Sequence, residues 1–280
     1  MIILSVWLIM VVIGTAAEMP VYLVIGQSNA TGSSGSNSML DGRAGFPDSR
    51  ITIWSHITGG ATLLSNVTLR VPASAGNWSV EMHAGQLLAD WHGENIAIVK
   101  VSAGGTDLWE DWAPDNTNGL GCYASLTNWY AIATADLAVG GDTPSVKGAI
   151  WIQGEQDSID GHHAEYYANL TNFISRIRTD FGQEVRFGIA RLSRFAGWRA
   201  GYLTVRAAQE QAGTGVANTY LVDADPCYIP YDDGLGRHSS HYDQPGLWDL
   251  GGKCGRGMIA EQTAVASPSG VFIKNKWWSE

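Results

Sequence analysis

The sequence predicts an α/β fold with five parallel strands and helices on both faces of the sheet. Two observations support this: short apolar runs of strand type recur along the chain, and segments with apolar residues at helical spacing separate them. Strands separated by helices favour a parallel sheet with right-handed crossovers. The predicted strands are residues 20–25, 95–101, 146–152, 185–190 and 219–222.

The predicted helices follow from the apolar spacing. The clearest covers residues 163–181, where Leu170, Phe173, Ile174 and Ile177 fall on one helix face. The other predicted helices are residues 81–92, 123–139 and 202–211, with a further helix in the later part of 244–264.

Two further segments fix the expected domain organisation. Residues 38–77 hold short strand patterns in a polar, glycine-rich setting, which indicates a β-rich insertion near the site. Residues 1–17 combine the apolar stretch Ile2–Ile13 with small residues up to Ala17, a pattern typical of a signal peptide; an uncleaved anchor or a hydrophobic first strand is the alternative. We expect an exported chain with one domain over residues 18–280 and no stable membrane insertion after cleavage.

Composition excludes some classes of function. A formal net charge of −10 disfavours nucleic acid as a partner, because phosphate binding needs a basic face. The chain has no Cys-x-x-Cys or His-Glu-x-x-His spacing, so the sequence predicts no metal site. In an exported chain Cys122, Cys227 and Cys254 suggest one disulfide and one free thiol, and a Cys227–Cys254 bridge would brace the segment between them.

The segment from Val21 to Asn29 carries the strongest functional signal. Five apolar residues lead directly into Gly26-Gln27-Ser28-Asn29. A buried strand followed by glycine and an exposed serine is how an α/β sheet presents a nucleophile at its carboxyl edge. Ser28 is therefore the candidate nucleophile, and its own N–H would be an oxyanion donor if a helix begins there. A serine in an ordinary turn or N-cap is the alternative.

Two later strand ends could complete an oxyanion site. Gly104 and Gly105 follow the strand that ends at Val101, where glycine allows the backbone to approach a ligand. Gln153 follows the strand that ends at Ile152, and its amide could donate to a developing oxyanion. The alternatives are a simple tight turn for the glycines and an amide that ties two loops together for Gln153.

The candidate base is His241, in the segment His241-Tyr242-Asp243. The chain has seven histidines, so a single histidine carries little weight alone. His238, three residues earlier, is the competitor. A serine esterase needs such a base within hydrogen-bond reach of the nucleophile, together with a carboxylate that orients it.

Taken in order, these segments resemble four motif blocks of the SGNH hydrolase superfamily, and more narrowly its sialate O-acetylesterase and carbohydrate esterase family six branch. The blocks are Gly26-Gln27-Ser28-Asn29, Ala103-Gly104-Gly105-Thr106, Gln153-Gly154-Glu155, and His241-Tyr242-Asp243 with Gly246. The segment from Val80 to Leu88 also resembles the branch's first helix, although the Gly-Pro that precedes its Glu is missing. The resemblance spans residues 21 to about 251.

The resemblance implies a flavodoxin-like three-layer αβα sandwich and hydrolysis of acetyl esters on sugars. It implies Ser28 as nucleophile, His241 as base, and oxyanion donors from Ser28, Gly104 or Gly105, and Gln153. Many superfamily members carry an Asp three residues before the His, where this chain has His238, so the acid must come from elsewhere. In the carbohydrate esterase branch that acid maps to Glu155. Asp157 is the second choice, and Asp225 and Asp233 are more distant ones.

The resulting hypothesis is a secreted carbohydrate O-acetylesterase that needs no metal or organic cofactor. Its expected substrate contacts are Gln27 and Asn29 beside Ser28, and Asp107, Trp109 and Trp112 after the glycine pair. A lipase-like or peptidoglycan-acetyl esterase on the same scaffold is one alternative. A glycan-binding module without catalysis is another, which the His at position 238 allows.

Overall fold

The computed structural model describes residues 18–32, 48–58, 64–69, 78–116, 118–197, 199–232 and 237–260. The strands of its main sheet are β1 (Glu18–Gly26), β2 (Asp48–Thr58), β3 (Leu64–Leu69), β4 (Ile96–Ala103), β5 (Thr143–Ile152), β6 (Arg186–Ala190) and β7 (Thr219–Val222). They are arranged in the order β3-β2-β4-β1-β5-β6-β7. A short hairpin, β8 (Tyr231–Asp232) with β9 (Arg237–His238), lies apart from this sheet.

The five long helices among the described residues lie where the apolar spacing predicts them, with differences at their ends, and two helices of four residues each were not predicted from it. They are α1 (Ser28–Thr31), α2 (Glu81–His92), α3 (Cys122–Val139), α4 (Asp157–Asp160), α5 (Tyr166–Phe181), α6 (Tyr202–Gly215) and α7 (Gln244–Ala260). A 3₁₀ turn at His162–Ala164 precedes α5, so that helix begins three residues later than predicted.

Helices cover both faces of the sheet, which confirms the predicted three-layer α/β fold. Alternate residues of β1 point into two separate cores, as the two-residue period of a strand requires. Leu23 packs with residues of α3, α5 and α6 on one face, and Val24 packs with residues of α2 and α7 on the other. The strand is apolar on both faces because neither face meets water.

The sheet is larger than the sequence suggests, with six parallel strands in place of five. The additional strand is β2, from the segment predicted as an insertion; it runs parallel to β4 from the pair Ile51–Ile96 to the pair Thr58–Ala103. The outermost strand, β3, pairs antiparallel with β2 and forms one edge of the sheet. The local pattern at Ile51–Trp54 predicts a strand, but it does not tell which sheet that strand joins.

The cysteine expectation is corrected by the structure. Cys122, Cys227 and Cys254 are all described, all buried and all free thiols, so no disulfide joins any two of them. Cys122 lies in one core and the other two lie in the core on the opposite face. Burial raises the pKa of the Cys122 and Cys227 thiols to about 12, which keeps both protonated at neutral pH.

The two remaining expectations concern membranes and export. In the described part of the chain, no helix is long and apolar enough to cross a membrane. The predicted signal peptide, residues 1–17, lies outside the described residues.

Three neighbouring strands converge where the site is expected. The strand β1 lies between β4 and β5 and is parallel to both, with Gly26 opposite Ser102 on one side and Ile152 on the other. The carboxyl ends of these strands therefore reach the same edge. That register brings the residues after Gly26, Ala103 and Ile152 together at a switch point of the strand order, where α/β folds bind ligands.

Candidate active site

Ser28 is the first residue of α1 and lies directly after the end of β1. The turn begins at Gly26, whose φ of +142° is rarely adopted by residues with a side chain. A Cβ atom on Gly26 would lie 2.0 Å from the carbonyl oxygen of Ile152 on β5, so only glycine fits there. The backbone N–H of Gln27 donates to that same carbonyl over 3.0 Å. The turn is thus held against β5, and Ser28 is half-buried at the sheet edge.

The predicted glycine pair lies beside this serine. Gly104 and Gly105 are exposed after β4, and a Cβ atom on Gly104 would lie 4.0 Å from Cβ of Ser28. Gly105 has a φ of +71°, which favours glycine. On the other side, the Ser28 N–H lies at the start of α1. The two predicted sources of backbone oxyanion donors therefore lie at one edge.

Gln27 is not available to substrate. Its side chain is 3% exposed, and its Oε1 accepts from the backbone N–H groups of Gly154 and Gln156, each over 3.3 Å. The side chain thus joins the nucleophile turn to the loop after β5. The structure shows a contact between two loops for Gln27, and its contact with substrate stays a prediction.

Asn29 is likewise turned inward and is 1% exposed. Its Nδ2 donates to Oε1 of Glu155 over 2.6 Å and to the carbonyl of Ser240 over 3.0 Å. Its Oδ1 accepts from the backbone N–H of Tyr242 over 3.2 Å. The polar atoms of Asn29 are thus used inside the protein, and its contact with substrate stays a prediction.

Gln153 is also committed to internal contacts. Its Nε2 donates to the carbonyl of Thr106 over 3.0 Å and to Oδ2 of Asp157, and its Oε1 accepts from the Tyr166 hydroxyl over 3.0 Å. A primary amide has two hydrogens, and both are used here. In this structure Gln153 is the amide that ties two loops together, and its oxyanion role stays a prediction.

Glu155 is the predicted acid that the structure brings to the nucleophile turn. Its side chain is 7% exposed, and its Oε1 accepts the 2.6 Å hydrogen bond from Asn29. Its other oxygen, Oε2, is buried and has no hydrogen-bond partner among the described residues. Burial lowers the pKa of His241, the base candidate, and the charge of Glu155 opposes that shift.

The other carboxylates considered from the sequence have different partners. Asp157 accepts from the backbone N–H of Leu108 and from the side-chain amide of Gln153. Asp225 pairs with Arg191 over 2.9 Å and with Arg206 over 2.7 Å. Asp233 lies outside the described residues. Of the carboxylates that the structure describes, Glu155 is the one whose charge raises the pKa of His241.

His241 is half-buried in the segment between β9 and α7. Burial, the largest cause, lowers its pKa; the negative charge of Glu155 raises it, and the positive charge of Arg199 lowers it. The net pKa lies below the ordinary histidine value, which keeps the imidazole neutral and able to accept a proton near neutral pH. Arg199 is itself buried and donates to Oγ of Ser240 over 2.8 Å, next to His241 in sequence.

The competing His238 belongs to an aromatic cluster. Its Nδ1 hydrogen-bonds the carbonyl of Ile229 over 2.8 Å, and its ring lies 4.3 Å from that of Phe195 and 5.5 Å from that of Tyr231, measured between ring centroids. The histidine that stands where many superfamily members have an acid is therefore used to pack the short hairpin.

The loop after the glycine pair has one exposed aromatic side chain. Trp109 is 38% exposed and stacks flat on His162, with ring centroids 4.5 Å apart and planes 4° apart. Asp107 caps the turn by accepting from the backbone of Glu110 and Asp111. Trp112, expected to line the site, is fully buried in the core, so that expectation is wrong.

A buried ion pair, which was not predicted from the sequence, contacts the backbone of α1 next to the proposed nucleophile. Lys100 on β4 donates to Oε1 of Glu81 over 2.7 Å and to the carbonyl of Thr31 over 3.1 Å. Glu81 also accepts from the Ser79 backbone, and the Ser79 hydroxyl donates to the carbonyl of Asn29. The sequence did contain one indication of this ion pair, because Lys100 is a charged residue within the otherwise apolar segment Ile96–Val101.

No group of three or more potential ligands able to hold a metal ion is found in the ranges that the structure describes. The groups at the sheet edge suit acyl transfer: a hydroxyl and a carboxylate lie beside exposed glycines, and the carboxylate charge acts on the imidazole of His241.

Comparison with known proteins decides the family. A family model described as carbohydrate esterase, sialic acid-specific acetylesterase, matches residues 18–260. The chain belongs to this carbohydrate esterase family. As a member it is a carboxylic ester hydrolase, which confirms the superfamily branch expected from the motifs.

Solved structures similar to this esterase share its fold at low sequence identity. NanS has a TM-score of 0.65 at 16% identity, over 89% of this chain and 99% of NanS. A carbohydrate acetylesterase from Xanthomonas citri has a TM-score of 0.63 at 17% identity, over 88% and 57% of the two chains. A protein from Arabidopsis thaliana has a TM-score of 0.62 at 18% identity, over 87% and 98%. Comparison with curated proteins gave no significant match.

The buried carboxyl of Asp157 predicts a pH dependence of stability. Burial, the largest cause, raises its pKa from 3.8 to about 7. Below pH 3.8 both the folded and the unfolded chain keep the proton; between 3.8 and about 7 only the unfolded chain releases it. The unfolding free energy should therefore fall by about 1.4 kcal/mol per pH unit across that window and level off above it.

The measurement is urea unfolding of the wild type and Asp157→Asn between about pH 4 and about pH 8. The difference, wild type minus variant, should decrease up to about pH 7. Asp115→Asn, which removes an exposed carboxylate, controls for net charge. A difference for Asp157→Asn that does not change with pH would contradict the assignment.

Proposed function

We propose that this esterase is an exported serine O-acetylesterase that acts on acetylated carbohydrate through an acyl-enzyme. The family fixes ester hydrolysis on carbohydrate, and the mechanism is our inference from the site. The observation that carries it is the position of Glu155. Its carboxylate is hydrogen-bonded to Asn29, next to Ser28, while its charge acts on His241. Nucleophile, base and acid are thus assigned to Ser28, His241 and Glu155.

In the first half of the reaction, the Ser28 hydroxyl attacks the acetyl carbonyl while His241 takes its proton. The lowered pKa of His241 keeps it in the neutral form that can act as base. Glu155 stabilises the imidazolium that forms and holds the ring in one orientation. Arg199, whose charge also acts on His241, opposes this stabilisation and keeps the base from holding its proton too tightly.

The developing oxyanion is assigned to backbone donors. The Ser28 N–H at the start of α1 and an N–H of the Gly104–Gly105 pair are the proposed donors, supported by the 4.0 Å approach of a Gly104 Cβ position to Ser28. Each such donor contributes about a hundredfold to a thousandfold in rate. Gln153 supports them indirectly, because it holds the carbonyl of Thr106 immediately after the glycines.

In the second half, His241 passes its proton to the sugar hydroxyl as that alcohol leaves. Water then attacks the acetyl-Ser28 ester with His241 again as base, which releases acetate and restores the serine.

The substrate is proposed to be an O-acetylated sugar whose ring lies over the loop after the glycines. Trp109 offers a partly exposed aromatic surface there, held flat by His162. The description of the family makes acetylated sialic acid the first substrate to test. Export is proposed from the signal-peptide pattern of residues 1–17.

Replacing the nucleophile tests the proposed function. Ser28→Ala should lower kcat/KM for p-nitrophenyl acetate and for O-acetylated sialic acid by about 10⁴-fold or more, because no covalent intermediate can form. Ser175→Ala, an exposed serine on α5, is the matched control and should behave as wild type. Equal activity of Ser28→Ala and wild type would exclude the mechanism, and glycan binding without turnover would indicate a non-catalytic module.

Replacing the proposed acid, Glu155, should shift the pH–rate profile. Glu155 raises the pKa of His241, so Glu155→Gln should lower that pKa further and move the acid limb of kcat/KM to lower pH. The plateau should fall by about 10²- to 10⁴-fold, because the imidazolium loses its stabilising charge and its fixed orientation. An acid limb that stays in place or moves to higher pH would show that another carboxylate acts on His241.

A further inference from the structure

We propose that Asn29 is a positioning residue, whose side chain holds the acid and the loop of the base in fixed positions relative to the nucleophile. The inference rests on the proposed roles of Ser28, His241 and Glu155. It assigns Asn29, whose polar atoms are used inside the protein, to the alignment of all three.

The hydrogen bonds of Asn29 reach two distant parts of the chain. One amide hydrogen goes to Oε1 of Glu155 over 2.6 Å, and the other goes to the carbonyl of Ser240 over 3.0 Å. The amide oxygen accepts from the backbone N–H of Tyr242 over 3.2 Å. A carboxylate and a carbonyl only accept, and an N–H only donates, so the amide fits this site in one orientation. Aspartate could not make the same set of bonds.

Two of these bonds fix the backbone on both sides of the base. Ser240 and Tyr242 flank His241, and the segment between β9 and α7 has no regular secondary structure. A loop of this kind has no ladder of backbone hydrogen bonds to hold it. The Asn29 amide holds the backbone from Ser240 to Tyr242 in place of such a ladder. It thereby sets the position of the His241 backbone, from which the imidazole ring extends.

The third bond orients the acid. Oε2 of Glu155 is buried and has no hydrogen-bond partner in the described ranges, whereas Oε1 receives the hydrogen bond from Asn29. A buried carboxylate with one hydrogen bond has few contacts that fix its rotation. Within the described structure, the hydrogen bond from Asn29 therefore fixes the orientation of the Glu155 carboxylate. Asn29 is the residue that follows Ser28 in the sequence.

The burial of Asn29 also argues against N-glycosylation at this residue. Asn29-Ala30-Thr31 has the sequence of an N-glycosylation site, but the asparagine is 1% exposed and its amide is fully used. A glycan on Nδ2 would remove the bonds to Glu155 and Ser240. The amide is accordingly assigned to the site and not to modification.

The test measures the kinetics of Asn29→Asp and Asn29→Ala on p-nitrophenyl acetate across pH. Misplacement of about 1 Å in a catalytic group costs about 10²-fold in rate, so kcat should fall by about that factor in both variants while KM changes little. In Asn29→Asp, the added carboxyl beside Glu155 should also raise the pKa of His241 and move the acid limb to higher pH. Asn95→Asp, an exposed asparagine at the amino end of β4, makes the same charge change away from the site and should leave both unchanged.

A double-mutant cycle separates positioning from simple structural support. If Asn29 acts partly through Glu155, the loss in Asn29→Ala plus Glu155→Gln should be clearly smaller than the product of the two single losses. Independent, multiplicative losses would contradict the inference. So would wild-type kcat in the folded Asn29→Ala variant, or loss of the near-ultraviolet circular dichroism signal in both Asn29 variants.

The same data distinguish the two proposals from each other. If Ser28→Ala is inactive while Asn29→Ala matches wild type, the positioning role fails and the serine mechanism stands. If Ser28→Ala matches wild type, the serine mechanism fails and the positioning role fails with it.

Discussion

The parallel pairing of β1 with β4 on one side and β5 on the other is the constraint on which the site depends. Because all three strands run in one direction and end in register near Gly26, the segments that follow them meet at one edge. The turn after β1 carries Ser28, the turn after β4 carries the glycines, and the loop after β5 carries Glu155. No single segment contains the site, and a shift of one strand by one residue would separate its parts.

The loops at this edge are held by buried polar contacts in addition to apolar packing. Lys100 and Glu81 form an ion pair in the interior, where each charge costs several kcal/mol to remove from water. That cost is offset by hydrogen bonds to the backbone around α1, including the carbonyl of Thr31. A buried pair of this kind is weak evidence for added stability, but it fixes the position of the short helix α1, which carries the proposed nucleophile.

A second polar cluster fixes the position of the loop that carries the glycine pair, the proposed source of oxyanion donors. Gln153, Asp157 and Tyr166 form one hydrogen-bonded cluster that holds the backbone after Gly105. The cost of burying Asp157 is visible in its pKa, which is raised to about 7. Burial of this carboxyl lowers the free energy of unfolding at neutral pH, while its hydrogen bonds hold the loop rigid. Such an arrangement is common where backbone donors must be held in place.

The sequence predicted the class of fold and the positions of most elements, because apolar periodicity is a local property. It also proposed Ser28, the glycine pair and Glu155 as site residues, since each follows a strand or matches a family motif, and the structure brings their segments to one edge of the sheet. It did not predict the inward role of Asn29, and for Gln153 it left an amide that ties two loops together as an alternative. The partners of Asn29 are 126, 211 and 213 residues away, and no local pattern encodes such contacts. For the same reason the sheet that β2 joins could not be determined from its own residues.

The most direct test of the account is covalent labelling with a small organophosphate, followed by mass spectrometry of the digested protein. A serine activated by a neighbouring base attacks phosphorus as it attacks an acetyl carbonyl, and the adduct persists. The account predicts one stoichiometric adduct, on Ser28, that forms as activity is lost and is absent from His241→Ala. Full esterase activity without an adduct, or an adduct on a different residue, would contradict it.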